Sequence, residues 1–164
     1  MPKSKSRGKR YDPDKQIRRV IAWGERKIGE RPMRADAQRD IEIAAHIAFE
    51  RLRNGGDKDS LYILASAFDV SHELAVNGYG ADYKDAIKRA MSALVRAKKR
   101  ANLTGLWTLE SDEAEVVAIS LAIHDVQLEE TPRAVVIKAV NDVMARVEAG
   151  SGETEFENLL MEAA

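Results

Sequence analysis

From residue 35 onward the apolar side chains recur at helical spacing. Ala37, Ile41, Ala44, Ala48 and Leu52 follow one another at steps of four, three, four and four, which predicts a helix from about Ala35 to Arg53 stopped by Asn54, Gly55 and Gly56. Asp57 or Asp59 caps the next helix, whose Leu61, Leu64, Ala65, Phe68 and Ala75 form a stripe reaching Asn77 and Gly78. Gly78 suits the left-handed residue that closes a helix. After the Gly78, Tyr79, Gly80 turn, Asp82 is expected to cap a helix from Tyr83 to about Arg100, with Tyr83, Ile87, Ala90, Met91 and Leu94 inward.

A link from Asn102 to Leu109 leads to Thr108 or Ser111 as the cap of a helix ending near Glu130. That helix carries two apolar stripes, Val116, Ile119, Ile123, Val126 and Val117, Leu121, Leu128, which predicts a central place in a bundle. Thr131 and Pro132 read as cap and first-turn proline of a helix whose Val136, Val140, Val143 and Val147 make a seam ending at Gly150. Earlier in the chain, Asp12 and Pro13 open a short helix with Ile17, Val20 and Ile21 on one side, ending near Gly24. No segment alternates with the period of a strand. The expectation is an all-α bundle of five or six helices over residues 12–150, preceded by a disordered basic arm at 1–11 and followed by an acidic tail at 151–164, weakly helical around Phe156, Leu159 and Leu160.

Composition agrees with one domain. The chain has 164 residues, 45% of them apolar and only 5% aromatic, a mixture suited to closely packed helices. Zero cysteines exclude disulfides, thiolate metal sites and a cysteine nucleophile. No apolar run approaches the roughly 20 residues that span a bilayer. A soluble, cytoplasmic protein with no membrane partner is expected.

The net charge of −1 hides a partition. Residues 1–34 hold 12 Lys and Arg against 4 acids, residues 35–100 hold 11 against 10, and residues 101–164 hold 3 against 13, giving +8, +1 and −10. Such asymmetry points to polyanion binding, a solvating tail or self-complementary association. Lys3, Lys5, Arg7, Lys9 and Arg10 in the arm, with Arg18, Arg19 and the cluster Arg96, Lys98, Lys99 and Arg100, are the candidate phosphate contacts of a nucleic-acid-binding reading. The second cluster has a simpler explanation, since cations at a helix C-terminus complement its dipole.

Candidates for chemistry are few. Glu42 with His46 and Asp69 with His72 each share a helix face, but one such half-motif does not make a metal centre, and neither a metal nor another cofactor is implied. His124 lies in an apolar stripe beside Asp125, as a core histidine hydrogen-bonded to a neighbouring helix or link would, with a ligand pocket as the alternative. Hydrolase elbows and phosphate loops are absent, so no catalytic residue is assigned and a non-enzyme is expected. Residues 64–78 have a passing likeness to a helix-turn-helix. Their stripe runs unbroken through the would-be turn, which predicts one helix.

The order Gly78-Tyr79-Gly80, Thr104-Gly105 with Trp107 and Leu109, then His124-Asp125 with Gln127 and Leu128, resembles a group of uncharacterised small proteins encoded by phages and prophages of proteobacteria. The likeness spans roughly residues 60 to 131. It implies an accessory protein of a mobile element, with no activity to carry over, and makes Gly78, Gly80, Trp107, His124 and Asp125 fold determinants. Trp107 is expected to plug one end of the bundle, and His124 with Asp125 to hold the link. The function expected is protein–protein interaction, with a host protein or a second copy as partner; the alternative is nucleic-acid binding through the basic residues named above.

Overall fold

A computed structural model describes residues 13–149 and 154–163 of the chain. Among them, seven α-helices follow one another: α1 (Pro13–Gly29), α2 (Ala35–Arg53), α3 (Lys58–Val76), α4 (Lys84–Thr104), α5 (Ser111–Glu130), α6 (Arg133–Ala149) and α7 (Glu155–Glu162). A single 3-10 turn, Ala81–Tyr83, precedes α4, and no strand occurs among the described residues. The all-α expectation holds, with seven helices in place of five or six. The basic arm and Asp12 lie outside the described residues.

The seventh helix comes from the segment expected as a tail. Its acidic composition hides an amphipathic turn: the Thr154 hydroxyl accepts the Glu157 N–H at 3.2 Å, and Phe156 is buried at 2% exposure. Phe156 meets the Tyr62 ring edge-on, with centroids 6.3 Å apart. Asp69 on α3 receives the Phe156 backbone N–H at 3.0 Å, and Lys88 on α4 pairs with Glu155 at 2.6 Å. So α7 is docked on α3 and α4.

The centre of the bundle is α3, not α5. It packs on α2, α4, α5, α6 and α7, and buries Leu61, Leu64, Ala65, Phe68 and Ala75 as their spacing predicts. It is one continuous helix, begun by the Asp57 carboxylate accepting the Ser60 N–H at 2.7 Å. On α5 the two stripes part: Val117, Leu121 and Leu128 are buried, whereas Ile119 and Val126 stay about half exposed. The inward face also takes Glu113, Ser120, His124 and Gln127. An even distribution of apolar residues around a helix carries no phase, so hydrogen bonds to these polar groups set its rotation.

Other boundaries shift for local reasons. α4 begins after the 3-10 turn without a side-chain cap, so Asp82 does not cap it and Tyr83 is half exposed instead of inward. Its far end continues past Arg100 to Thr104, closed by Gly105 at φ +75°. α1 likewise continues past Gly24 to Gly29. The start of α5 uses neither Thr108 nor Ser111; the Glu110 N–H donates to the Glu113 carboxylate at 2.9 Å. Before α6, the Pro132 carbonyl accepts the Val135 and Val136 N–H groups, while the Thr131 hydroxyl is buried without a hydrogen-bond partner. The α6 seam buries Val136, Ala139 and Val143, and Val147 is exposed.

Three backbone stitches join distant segments. The Gly56 N–H donates to the Trp107 carbonyl at 3.0 Å, and the Leu109 N–H to the Leu52 carbonyl at 2.9 Å. The Arg133 N–H donates to the Arg31 carbonyl at 2.8 Å, beside a bridge between Pro32 and Pro132.

Candidate functional site

The basic residues expected to act together are separated by the fold. Arg18 lies on α1, whose main packing is on α6; Arg96, Lys98, Lys99 and Arg100 lie inside α4, which packs on α3, α5 and α7. Lys3, Lys5, Arg7, Lys9 and Arg10 fall outside the described residues, as does the side chain of Arg19. Within α4 the cluster divides further. Arg100 donates to both oxygens of Glu113, at 3.1 and 2.6 Å, and to the Thr108 carbonyl at 2.8 Å. Arg96 approaches the same carboxylate at 3.5 Å, and Lys98 sits 5.1 Å from the Tyr62 ring centre. Lys99 is left on the outside.

The dipole explanation also fails for this cluster, because the last turn of α4 has no basic residue. Arg100 is instead the counterion of a buried acid. Burial pushes the Glu113 carboxyl up, but the Arg100 guanidinium and the Glu110 amide outweigh it and hold the group below its usual range. Glu113 was not singled out in the sequence; a glutamate three residues after Glu110, at the start of an apolar run, is the signal that points to it.

The residues of the turn and the link have partly different partners from those expected. Gly78 has φ +94° and Gly80 has φ +76°, so both need the left-handed region. A Cβ on Gly80 would come within 3.1 Å of the Gln127 amide nitrogen. That amide donates to the Ser71 carbonyl at 3.1 Å and the Tyr79 carbonyl at 2.8 Å, locking α5 to the end of α3. Trp107 is half-buried against the main core and stitched to Gly56. His124 and Asp125 do not hold the link. His124 faces α3, where Ser71 Oγ lies 2.7 Å from its Nδ1, and Asp125 faces α2, where it meets His46 Nε2 at 2.9 Å.

Neither expected histidine pair forms a ligand cluster: His46 turns to Asp125, Asp69 is bonded to the start of α7, and His72 sits half-buried with Nε2 unpartnered. Burial drives the His124 imidazole down to about 4 and raises the Asp69 carboxyl to about 6. At neutral pH His124 is therefore uncharged. With Ser71 on Nδ1, its Nε2 has no partner in the protein.

That imidazole lines an open concavity on the side of the bundle. α2 packs on α3 and α5, and α6 packs on α3, leaving between α2 and α6 an open groove of about 720 Å³. Ile41 and Ala44 of α2 form one wall and Val136 and Val140 of α6 the other. Tyr62, Ile63, Ala67 and Val70 of α3 make the floor with His124 and Leu128 of α5, and Asp40 and Asp59 are its acids. This explains why the Ala37, Ile41, Ala44 stripe of α2 is exposed although its spacing predicts burial. A second hollow between α2 and α6, reaching Met33 and Ala37, shares Ile41, Val136 and Val140 with the first, so the apolar surface is continuous.

Comparison with known proteins adds no relative: no family model, no curated protein and no solved structure matches the chain.

Proposed function

We propose that the chain is a non-enzymatic protein-interaction module, an accessory protein of a phage or mobile element acting in the bacterial cytoplasm, and that the α2–α6 groove is its docking face. The observation that carries this reading is the groove itself, an apolar trough bounded by two helices that do not close on each other. An amphipathic helix laid in such a trough replaces the missing contact. Ile41 and Ile63, at 37% and 42% exposure, offer the anchors, and Asp40 and Asp59 favour a partner with basic residues flanking its apolar stripe. The mobile-element setting rests on the Gly-Tyr-Gly, Thr-Gly-x-Trp and His-Asp-x-Gln-Leu order alone.

The test is fluorescence anisotropy with short amphipathic helical peptides that differ only in flanking charge. The basic peptides are expected to bind, the acidic ones to bind at least tenfold more weakly, and Ile63→Glu to abolish binding. A wild-type chain that binds no peptide refutes the reading. Binding of generic DNA or RNA at about 50 mM salt, lost when residues 1–10 are removed, would replace it with the nucleic-acid reading. No helix among the described residues is long and apolar enough to cross a membrane.

A further inference from the structure

The groove has an unmatched counterpart on the same chain. α1 leans mainly on α6, and its described large apolar side chains are uncovered: Ile21 and Ile28 are each 53% exposed, and Trp23 is 61% exposed. The helix is amphipathic and basic, with Lys15, Arg18, Arg19, Arg26 and Lys27 against Asp14 and Glu25. The groove has the opposite properties, being apolar along its length and acidic at Asp40 and Asp59. An open trough and a helix that fits its chemistry thus lie on one molecule, each without its complement.

We infer that a second copy of the chain supplies it, the α1 helix of each protomer lying in the α2–α6 groove of its partner. The inference rests on the groove reading and names its occupant. The exchange is reciprocal and closes at two chains, as a two-fold dimer does. Its size follows from the helix: α1 is about 25 Å long and about 10 Å wide, so two seams bury on the order of 1,000 Å² counted over both partners. That is the low edge of a specific interface. The dimer is therefore reversible, forming at micromolar concentrations, and salt weakens it because the basic flanks of α1 face exposed carboxylates. In each protomer α1 stays anchored at its C-terminal end, where Gly29 lies against Ala134 and the Arg31 carbonyl takes the Arg133 N–H.

Light scattering on the full chain at about 100 μM, compared with Ile21→Glu, Ile63→Glu and Ile119→Glu, tests this. All three positions are exposed at 42% or more, so the folds survive. The expected result is a dimer for the native chain and for Ile119→Glu, with at least a tenfold rise in the dissociation constant for the other two. Because the native chain has no cysteine, Ile21→Cys and Ile63→Cys can be placed in separate copies, mixed and oxidised, and should give a mixed disulfide between the two chains. A native monomer overturns the inference, as does a dimer that ignores Ile63→Glu or that only Ile119→Glu breaks. A monomer that still takes the basic peptide in the groove overturns the exchange and leaves the groove reading standing. A monomer that binds no peptide overturns both.

Discussion

The two flanks of α3 are finished in opposite ways. Toward α4, α5 and α7 the contacts are closed: Phe156 fills the space beside Tyr62, Asp69 takes the Phe156 amide, and Glu113 is enclosed by Arg100. Toward α2 and α6 the same helix presents Ile63, Ser66 and Ala67 to an open groove. Both flanks are apolar, so hydrophobicity does not distinguish them. The difference lies in the small residues facing the groove and in the acids: Asp69 and Glu113 are hydrogen-bonded on the closed flank, whereas Asp40 and Asp59 stand exposed at the edge of the open one.

This contrast can be broken most strongly at Phe156. Phe156→Ala removes a fully enclosed aromatic and should cost about 3–5 kcal/mol in urea unfolding, with the amides of α7 losing protection from hydrogen exchange first. A cost under about 1 kcal/mol would mean that α7 is not part of the closed flank. Next is Arg100→Ala, which strands the Glu113 carboxylate and should cost about 1–3 kcal/mol, with Glu113→Gln in the same chain recovering part of it. If the double variant is no more stable than Arg100→Ala, the pair is not coupled.

The pH response tests the two flanks against each other, because their buried groups titrate in opposite senses. His124, held near 4, binds fewer protons in the folded chain than its ordinary 6.5 allows when unfolded, so stability is lost as pH falls from 6.5 toward 4. Asp69, raised to about 6 from 3.8, binds more protons when folded, so stability is gained as pH falls through 6. Between pH 7 and pH 5, Asp69→Asn should therefore steepen the acid loss and His124→Gln should flatten it, read from urea midpoints at each pH. Equal slopes in all three chains would contradict both assignments. The smallest effect belongs to the open flank: Ile63→Glu should change stability by no more than about 0.5 kcal/mol while removing docking. A large stability loss would show that the groove is core.

The helical class was legible because steps of three and four recur in α2, α3 and α6, and the stops at Gly56 and Gly78 are backbone requirements. Rotation was less legible. On α2 the stripe Ala37, Ile41, Ala44 satisfies the spacing of a buried face yet lines the groove and the hollow continuous with it, since periodicity registers an apolar side without saying whether a neighbour covers it. α5 offered two equal stripes, and the choice fell to Gln127 and His124, whose bonds reach Ser71 more than fifty residues away. α7 was obscured by its acids, although Thr154 and Phe156 are a cap and an anchor. Of the candidate site residues, Gly78, Gly80 and Trp107 carried local signals; Arg100 read as a surface cation because its partner, Glu113, lies on the next helix.

The stitches at Leu52 to Leu109 and Gly56 to Trp107 bring the chain back to the place it left after α2. The hairpin of α3 and α4 is thus a closed excursion with its entrance and exit fastened side by side, the topology of an insertion. Extra residues at Asn54 or Gly55, both exposed, would lengthen the entrance without altering the register of α2 against α5. That makes this corner the natural place to attach a reporter or open new chain ends while leaving the groove, at the side of the bundle, untouched.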